Sequence, residues 1–183
     1  MPPELSIAGE VISDDSDCYV IAEVGHNHQG SLEGCKELFR QAKDCGASAV
    51  KLQKRNNREL YTNELYNRPY DNRNSYGASY GEHREALEFG LEEYTELKAY
   101  CEEIDITFFA TAFDFSSADF LEDLGVPAYK IASGDLKNTP LLEHVAQFGK
   151  PMIVSTGASV LEDVKRAYDT IMPINPQLCL MQC

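Results

Sequence analysis

Short apolar segments alternate with amphipathic ones along almost the whole chain, and this alternation restricts the fold more than any other feature. YVIAE (19–23), AVKLQ (49–53), ITFFAT (106–111), AYKIAS (128–133), PMIVS (151–155) and CLMQ (179–182) each read as a core strand. Between them, apolar residues recur at helical steps of three and four. Ser31 can cap a helix whose apolar residues are Leu32, Cys35, Leu38, Phe39, Ala42 and Cys45, with Gly46 as its stop. Leu91, Tyr94, Leu97, Cys101 and Ile104 form a second stripe, and a third helix near 116–124 ends at Gly125. Thr139 and Pro140 read as cap and first turn of a helix ending near Gly149. Ser159 and Glu162 read as a capping box for a helix running toward Pro173.

Strands joined by single helices are parallel, with the helices packed outside them. Strand starts fall near 19, 49, 106, 128, 151 and 178. The one long gap holds a polar insertion, 54–92, rich in Asn and Tyr, which reads as a functional loop. Tyr76, Tyr80 and GEHRE (81–85) on it are candidates for a lid. Residues 5–14 read as a small hairpin with Gly9 at its turn, so 1–17 is expected as an extension and 18–183 as the α/β domain. Two architectures fit: a doubly wound open sheet, and a (β/α)8 barrel, which needs about 250 residues. Six β/α units are present and the chain stops inside a strand, so a fragment of a longer product is expected.

Acidic side chains outnumber basic ones by 30 to 16, a net charge of −14, which argues against nucleic acid or an anionic membrane as partner. An anion bound by such a chain must meet a few placed cations. The six cysteines are scattered, without a CxxC pair, and are read as reduced cytoplasmic thiols rather than a disulfide frame or zinc site.

Charge inside core strands is the chemical anomaly. In VKLQ, Lys51 and Gln53 share one face, and in YKIAS, Lys130 falls opposite Tyr129 and Ile131. Two inward lysines are costly to bury and repel each other by several kcal/mol at a dielectric of about 20. An anionic ligand relieves both costs. So does pairing with a core acid such as Glu23, and a Schiff-base lysine is a third reading. Thr111, Ser133 and Ser155-Thr156-Gly157 gather hydroxyls at strand C-terminal ends, where parallel α/β folds bind phosphate. Glu23 can orient substrate or move a proton, or balance Lys51. His26 and His28 have the spacing of a metal pair, but in a loop they fit hydrogen bonding better. Asp135 can bind sugar hydroxyls or sit in a solvated turn.

These residues lie in segments that together resemble the sialic acid (N-acetylneuraminate) synthase family, with its legionaminate and pseudaminate relatives. The segments are IAEVGHNHQGS (21–31), GASAVKLQ (46–53), FFATAFD (108–114), VPAYKIASGD (126–135), NTPLLEHVAQFGKPMIVSTG (138–157) and LMQC (180–183). The resemblance implies a (β/α)8 barrel, here about six units, with the remaining units and a small antifreeze-like domain absent. It implies condensation of phosphoenolpyruvate with N-acetylmannosamine or a related amino-sugar, giving a nonulosonic acid and phosphate. A divalent metal, Mn2+ or Mg2+, is implied to polarise the sugar aldehyde, with its histidine ligands beyond residue 183. A homodimer is implied as well.

By the same resemblance Lys51, Lys130, Ser133 and Ser155 match phosphoenolpyruvate-binding positions, and Glu23 matches a catalytic glutamate. Gln53, Thr111, Asp135 and Asn74 match sugar-side positions; Asp135 stands where many members carry Glu, and Asn74 lies in a poorly aligning loop. The chain alone is expected to lack activity. Other readings are a different phosphoenolpyruvate-dependent deoxy-sugar synthase, a lysine Schiff-base aldolase, and a non-catalytic anion-binding truncated barrel. A second basic cluster would favour a phosphorylated sugar, with Arg68, Arg73 and Arg84 as its candidates.

Overall fold

A computed structural model describes residues 4–183. The chain begins with a hairpin, β1 (Leu5–Ile7) and β2 (Glu10–Ile12), closed by Ala8 and Gly9 at φ +51° and +87°. Two successive positive φ values make the primed turn that suits twisted antiparallel strands, and Gly9 takes the second without strain. Ile7 is fully buried. Ala8 and Glu10 stand with Ser48, Ile106 and Pro127 around a cavity of about 730 Å³, at the N-terminal ends of the main strands.

Six parallel strands follow: β3 (Ile21–Gly25), β4 (Ala49–Lys54), β5 (Thr107–Ala112), β6 (Tyr129–Ile131), β7 (Met152–Ser155) and β8 (Leu178–Met181). They pair in strict sequence order, β3 to β8. A doubly wound sheet reverses its order at a switch point. Uninterrupted order is the winding of a (β/α)8 barrel, and this chain forms a six-strand arc of one.

The outer layer contains α1 (Leu32–Asp44), α5 (Leu91–Glu103), α6 (Phe115–Leu124), α7 (Thr139–Ala146) and α8 (Leu161–Ile171), each packing on the next. Ser31 caps α1 by accepting from the Gly34 amide at 3.0 Å. Asp114 caps α6 by accepting from the Ser117 amide at 2.7 Å, and Gly125 ends that helix at φ +75°. The core lies between helices and sheet, where Val50, Leu52, Ile131, Leu121, Leu141 and Val145 are buried. Burying each such side chain contributes about 1.5–3 kcal/mol before entropy is subtracted.

Five local expectations need correction. Cys45 is the C-cap of α1 and is exposed, because it stands just past the last turn of the buried face. Leu91, the first residue of α5, is also exposed. The Ser159–Glu162 capping box does not form: Val160 is the N-cap of α8, and the Ser159 hydroxyl donates to the Gly157 carbonyl instead. Segment 54–92 is not a plain loop. It holds three short helices, α2 (Asn57–Leu60), α3 (Asn63–Tyr66) and α4 (Tyr80–Glu85). Single turns are too short to show a helical period, so their caps are the only sequence signal. Asn138, one residue earlier than expected, is the N-cap of α7.

Candidate functional site

The concave face of the arc is set by register. Glu23, Lys51 and Phe109 share one row, and Gln53, Thr111, Lys130, Ile153 and Cys179 share the next toward the C-terminal ends. Alternation puts Val50, Leu52, Tyr129 and Ile131 on the helix side, so the lysines have only the interior to enter.

Lys51 is 3% exposed. Its three ammonium protons have three acceptors: the Glu23 carboxylate at 2.5 Å, the Thr111 hydroxyl, and the Leu52 carbonyl at 3.1 Å. Burial pushes its pKa down while Glu23 opposes the shift. The pairing reading therefore holds for Lys51. Lys130 differs. It donates to the Ser155 hydroxyl and the Ile131 carbonyl, and no carboxylate pairs with it among the described residues. Burial first, and the positive field of Lys51 second, lower its pKa to about 8. Lys130 thus keeps one proton free to meet an anion.

Ser133 opens the turn Ser133–Asp135 after β6. Its hydroxyl faces Gly157 so closely that a Cβ there would come within 3.4 Å. The β6 and β7 loops therefore bring Ser133 and the Ser155–Gly157 corner together beside Lys130. The Asp135 carboxyl is half-buried, which raises its pKa; the Asn138 amide and the Arg55 charge pull it back.

Gln53 links two halves of the mouth. Its amide donates to Glu23 at 3.1 Å and its carbonyl oxygen accepts from Arg55 at 2.6 Å. Arg55 is a residue of this mouth that the sequence reading did not single out. The signal was present, since Arg55 follows Lys51 and Gln53 at the same step of two, one residue past the end of β4. Asn74 is not in the polar row. It lies off to the side, lining a cavity of about 480 Å³ with His26, Arg73, Tyr76 and His83. Arg68 lines a different cavity, with Tyr70 and Tyr80.

His28 is buried, stacks on Phe89 at 4.2 Å and accepts from the Gly30 amide through Nδ1 at 3.1 Å. Burial and the neighbouring His26 lower its pKa to about 4, so it is neutral. Among the described residues no three His, Cys, Asp or Glu side chains converge as a metal site requires. The resemblance places the histidine ligands of its divalent metal beyond residue 183, and no chemical step is routed through that metal.

An inward-facing lysine pair and strand-end hydroxyls stand at the C-terminal rim of a parallel arc, which is part of a barrel of the α/β class. Residues 38–183 match the NeuB family, and the chain belongs to that family. It is 40% identical to the N-acetylneuraminate-9-phosphate synthase of Homo sapiens, over all of this chain and 51% of that protein. It is 38% identical to the N,N'-diacetyllegionaminic acid synthase of Legionella pneumophila, over 91% of this chain and 48% of that protein. The chain therefore spans about half the length of the curated relatives it matches. A solved sialic acid synthetase from Leptospira borgpetersenii, in complex with citrate, superposes with a TM-score of 0.85 at 29% identity. That match covers all of this chain and 60% of the other. A 3-deoxy-D-arabino-heptulosonate 7-phosphate synthase from Thermotoga maritima, at 12% identity and a TM-score of 0.67, shares the fold.

Proposed function

We propose that this chain is the phosphoenolpyruvate-binding part of a nonulosonate synthase. That enzyme joins phosphoenolpyruvate to an N-acylated amino-sugar of the N-acetylmannosamine type. The carrying observation is Lys130: a buried lysine with no acidic partner among the described residues, a free proton, and the Ser133 and Ser155 hydroxyls beside it. Such a cradle suits a phosphate or carboxylate.

The reaction balances as follows. C3 of phosphoenolpyruvate bonds to the aldehyde carbon of the open-chain sugar, and the aldehyde oxygen takes a proton. Water adds at C2 and loses a proton, and the C2–O bond then breaks to release inorganic phosphate and leave a 2-keto acid. Lys130, Ser133 and Ser155 hold the anion. Gln53 and Asp135 orient sugar hydroxyls, with Asn74 approaching from the insertion side. Glu23, 48% exposed at the mouth and braced by Lys51 and Gln53, exchanges a proton with the water or the sugar. Thr111 fixes the direction of Lys51. A Mn2+ or Mg2+ ion, a homodimer and a cytoplasmic setting belong to this reading through the resemblance. No helix among the described residues is long and apolar enough to cross a membrane.

The test is calorimetric titration of phosphoenolpyruvate into the chain and its variants. Lys130→Ala should weaken binding by about 1.5–3 kcal/mol, the worth of a charge-assisted contact. Unchanged affinity overturns the reading. The lowered pKa of Lys130 also favours a second reading, a Schiff-base lysine. Borohydride trapping with a ketose or 2-keto acid yields a covalent adduct on Lys130 only in that case.

A further inference from the structure

The cavity of about 730 Å³ beside the hairpin lies at the opposite end of the arc from the Lys130 cradle and takes no part in it. Its floor is apolar: Ile106, Phe108 and Cys101 are buried, and Pro127 closes one side. Its rim is charged, carrying Lys43, Lys98, Glu10, Glu102 and Asp105. An apolar floor with a few placed polar groups, in a volume of this size, is the build of a small-molecule site.

Pairing sorts these charges. Lys43 meets the Asp105 carboxylate at 3.2 Å, and the two balance each other. Lys98 donates to the Leu124 carbonyl at 2.7 Å, and no carboxylate oxygen among the described residues lies within 4.0 Å of its ammonium. An ammonium has three protons, so two remain. Gly125 leaves the space beside it open, since a Cβ there would stand 3.3 Å from Nζ. Glu10 and Glu102 likewise have no cation within 4.0 Å among the described residues. Three helices, α1, α5 and α6, also end at this wall, with C-caps at Cys45, Ile104 and Gly125. Their last carbonyls add negative partial charge. The cavity therefore offers one unpaired cation to a carboxylate, and two unpaired acids with three helix ends to an ammonium, over an apolar floor. A simple anion would meet the acids, and a simple cation would meet the lysine. A zwitterion with an apolar side chain suits all of them.

We infer that this cavity is a binding site for a free α-amino acid with an apolar side chain. Its carboxylate lies on Lys98, its ammonium on Glu10 and Glu102, and its side chain on Ile106 and Phe108. The site is independent of the function proposed above, and either can fail without the other.

The experiment titrates L-leucine and L-methionine into the full chain by calorimetry and compares the tighter binder with two analogues. Its amide lacks the carboxylate charge, and its deaminated acid lacks the ammonium. Each analogue should bind roughly tenfold or more weakly than the parent amino acid. Lys98→Gln should weaken the parent by a similar factor, and Lys98→Arg, which keeps the charge, should retain most of the affinity. Glu10→Gln combined with Glu102→Gln should remove the advantage of the amino acid over its deaminated acid. Urea midpoints of the variants show whether they fold, and the analogue comparison on the wild-type chain decides the matter if they do not. Absence of saturable binding by both amino acids overturns the site, as does equal binding of either analogue or an affinity that survives Lys98→Gln.

Discussion

Lys51 and Lys130 sit on neighbouring rows of one concave face, yet their surroundings make them different groups. Lys51 is saturated by three acceptors, one of them Glu23. Lys130 has two, neither charged. Lys130→Ala should therefore weaken phosphoenolpyruvate binding more than Lys51→Ala, and titrations of the two variants side by side check the order. The pKa of Lys130, lowered to about 8, sets a pH dependence. Below that value the side chain is a cation and attracts the anion; above it the charge is lost. Affinity for phosphoenolpyruvate should fall as pH rises from 7 to 9, and the fall should vanish in Lys130→Ala. Gly30 is a further sensitive residue: at φ +77°, a Cβ would stand 2.6 Å from the Ala86 carbonyl oxygen. Gly30→Ala should cost about 1–3 kcal/mol in urea denaturation, by backbone strain and this collision. The loop it ends carries His26 and His28 into place.

At the scale of elements, two serine–glutamate pairs with the same three-residue spacing behave oppositely. Ser79 and Glu82 form a complete capping box on α4: the Ser79 hydroxyl accepts from the Glu82 amide at 3.2 Å, and Glu82 accepts from the Ser79 amide at 3.1 Å. Ser159 and Glu162 form none. Ser79→Ala should destabilise the chain by about 1 kcal/mol, and Ser159→Ala by less than about 0.5 kcal/mol, both read from denaturation midpoints. The pattern alone does not separate them. The box forms where the chain enters the helix at its serine. Near α8 the entry is shifted one residue, to Val160, by the turn that carries Ser155–Gly157. Because α4 also presents Arg84, its cap helps set where that side chain meets His26.

Across the whole molecule, pairing in strict sequence order leaves β3 and β8 each bonded on one side among the described residues, while β4 to β7 are bonded on both. Amide exchange should be slowest in β5 and β6 and faster on the outward sides of β3 and β8. Exchange that is uniform across the six strands would contradict the arc. Strand and helix positions were legible because the core imposes periods of two and 3.6 on the residues that fill it. So was the inward direction of Lys51, Gln53 and Lys130, because alternation is local. The choice between barrel winding and a doubly wound sheet was not, since the same β/α alternation serves both and only the strand order differs. The ion pairing of Lys51, the isolation of Lys130 and the convergence of Arg55 and Arg84 on the His26 ring were likewise decided by tertiary structure. Each depends on how far side chains from separate strands and an irregular insertion reach across the mouth, and no periodicity along the chain encodes that distance.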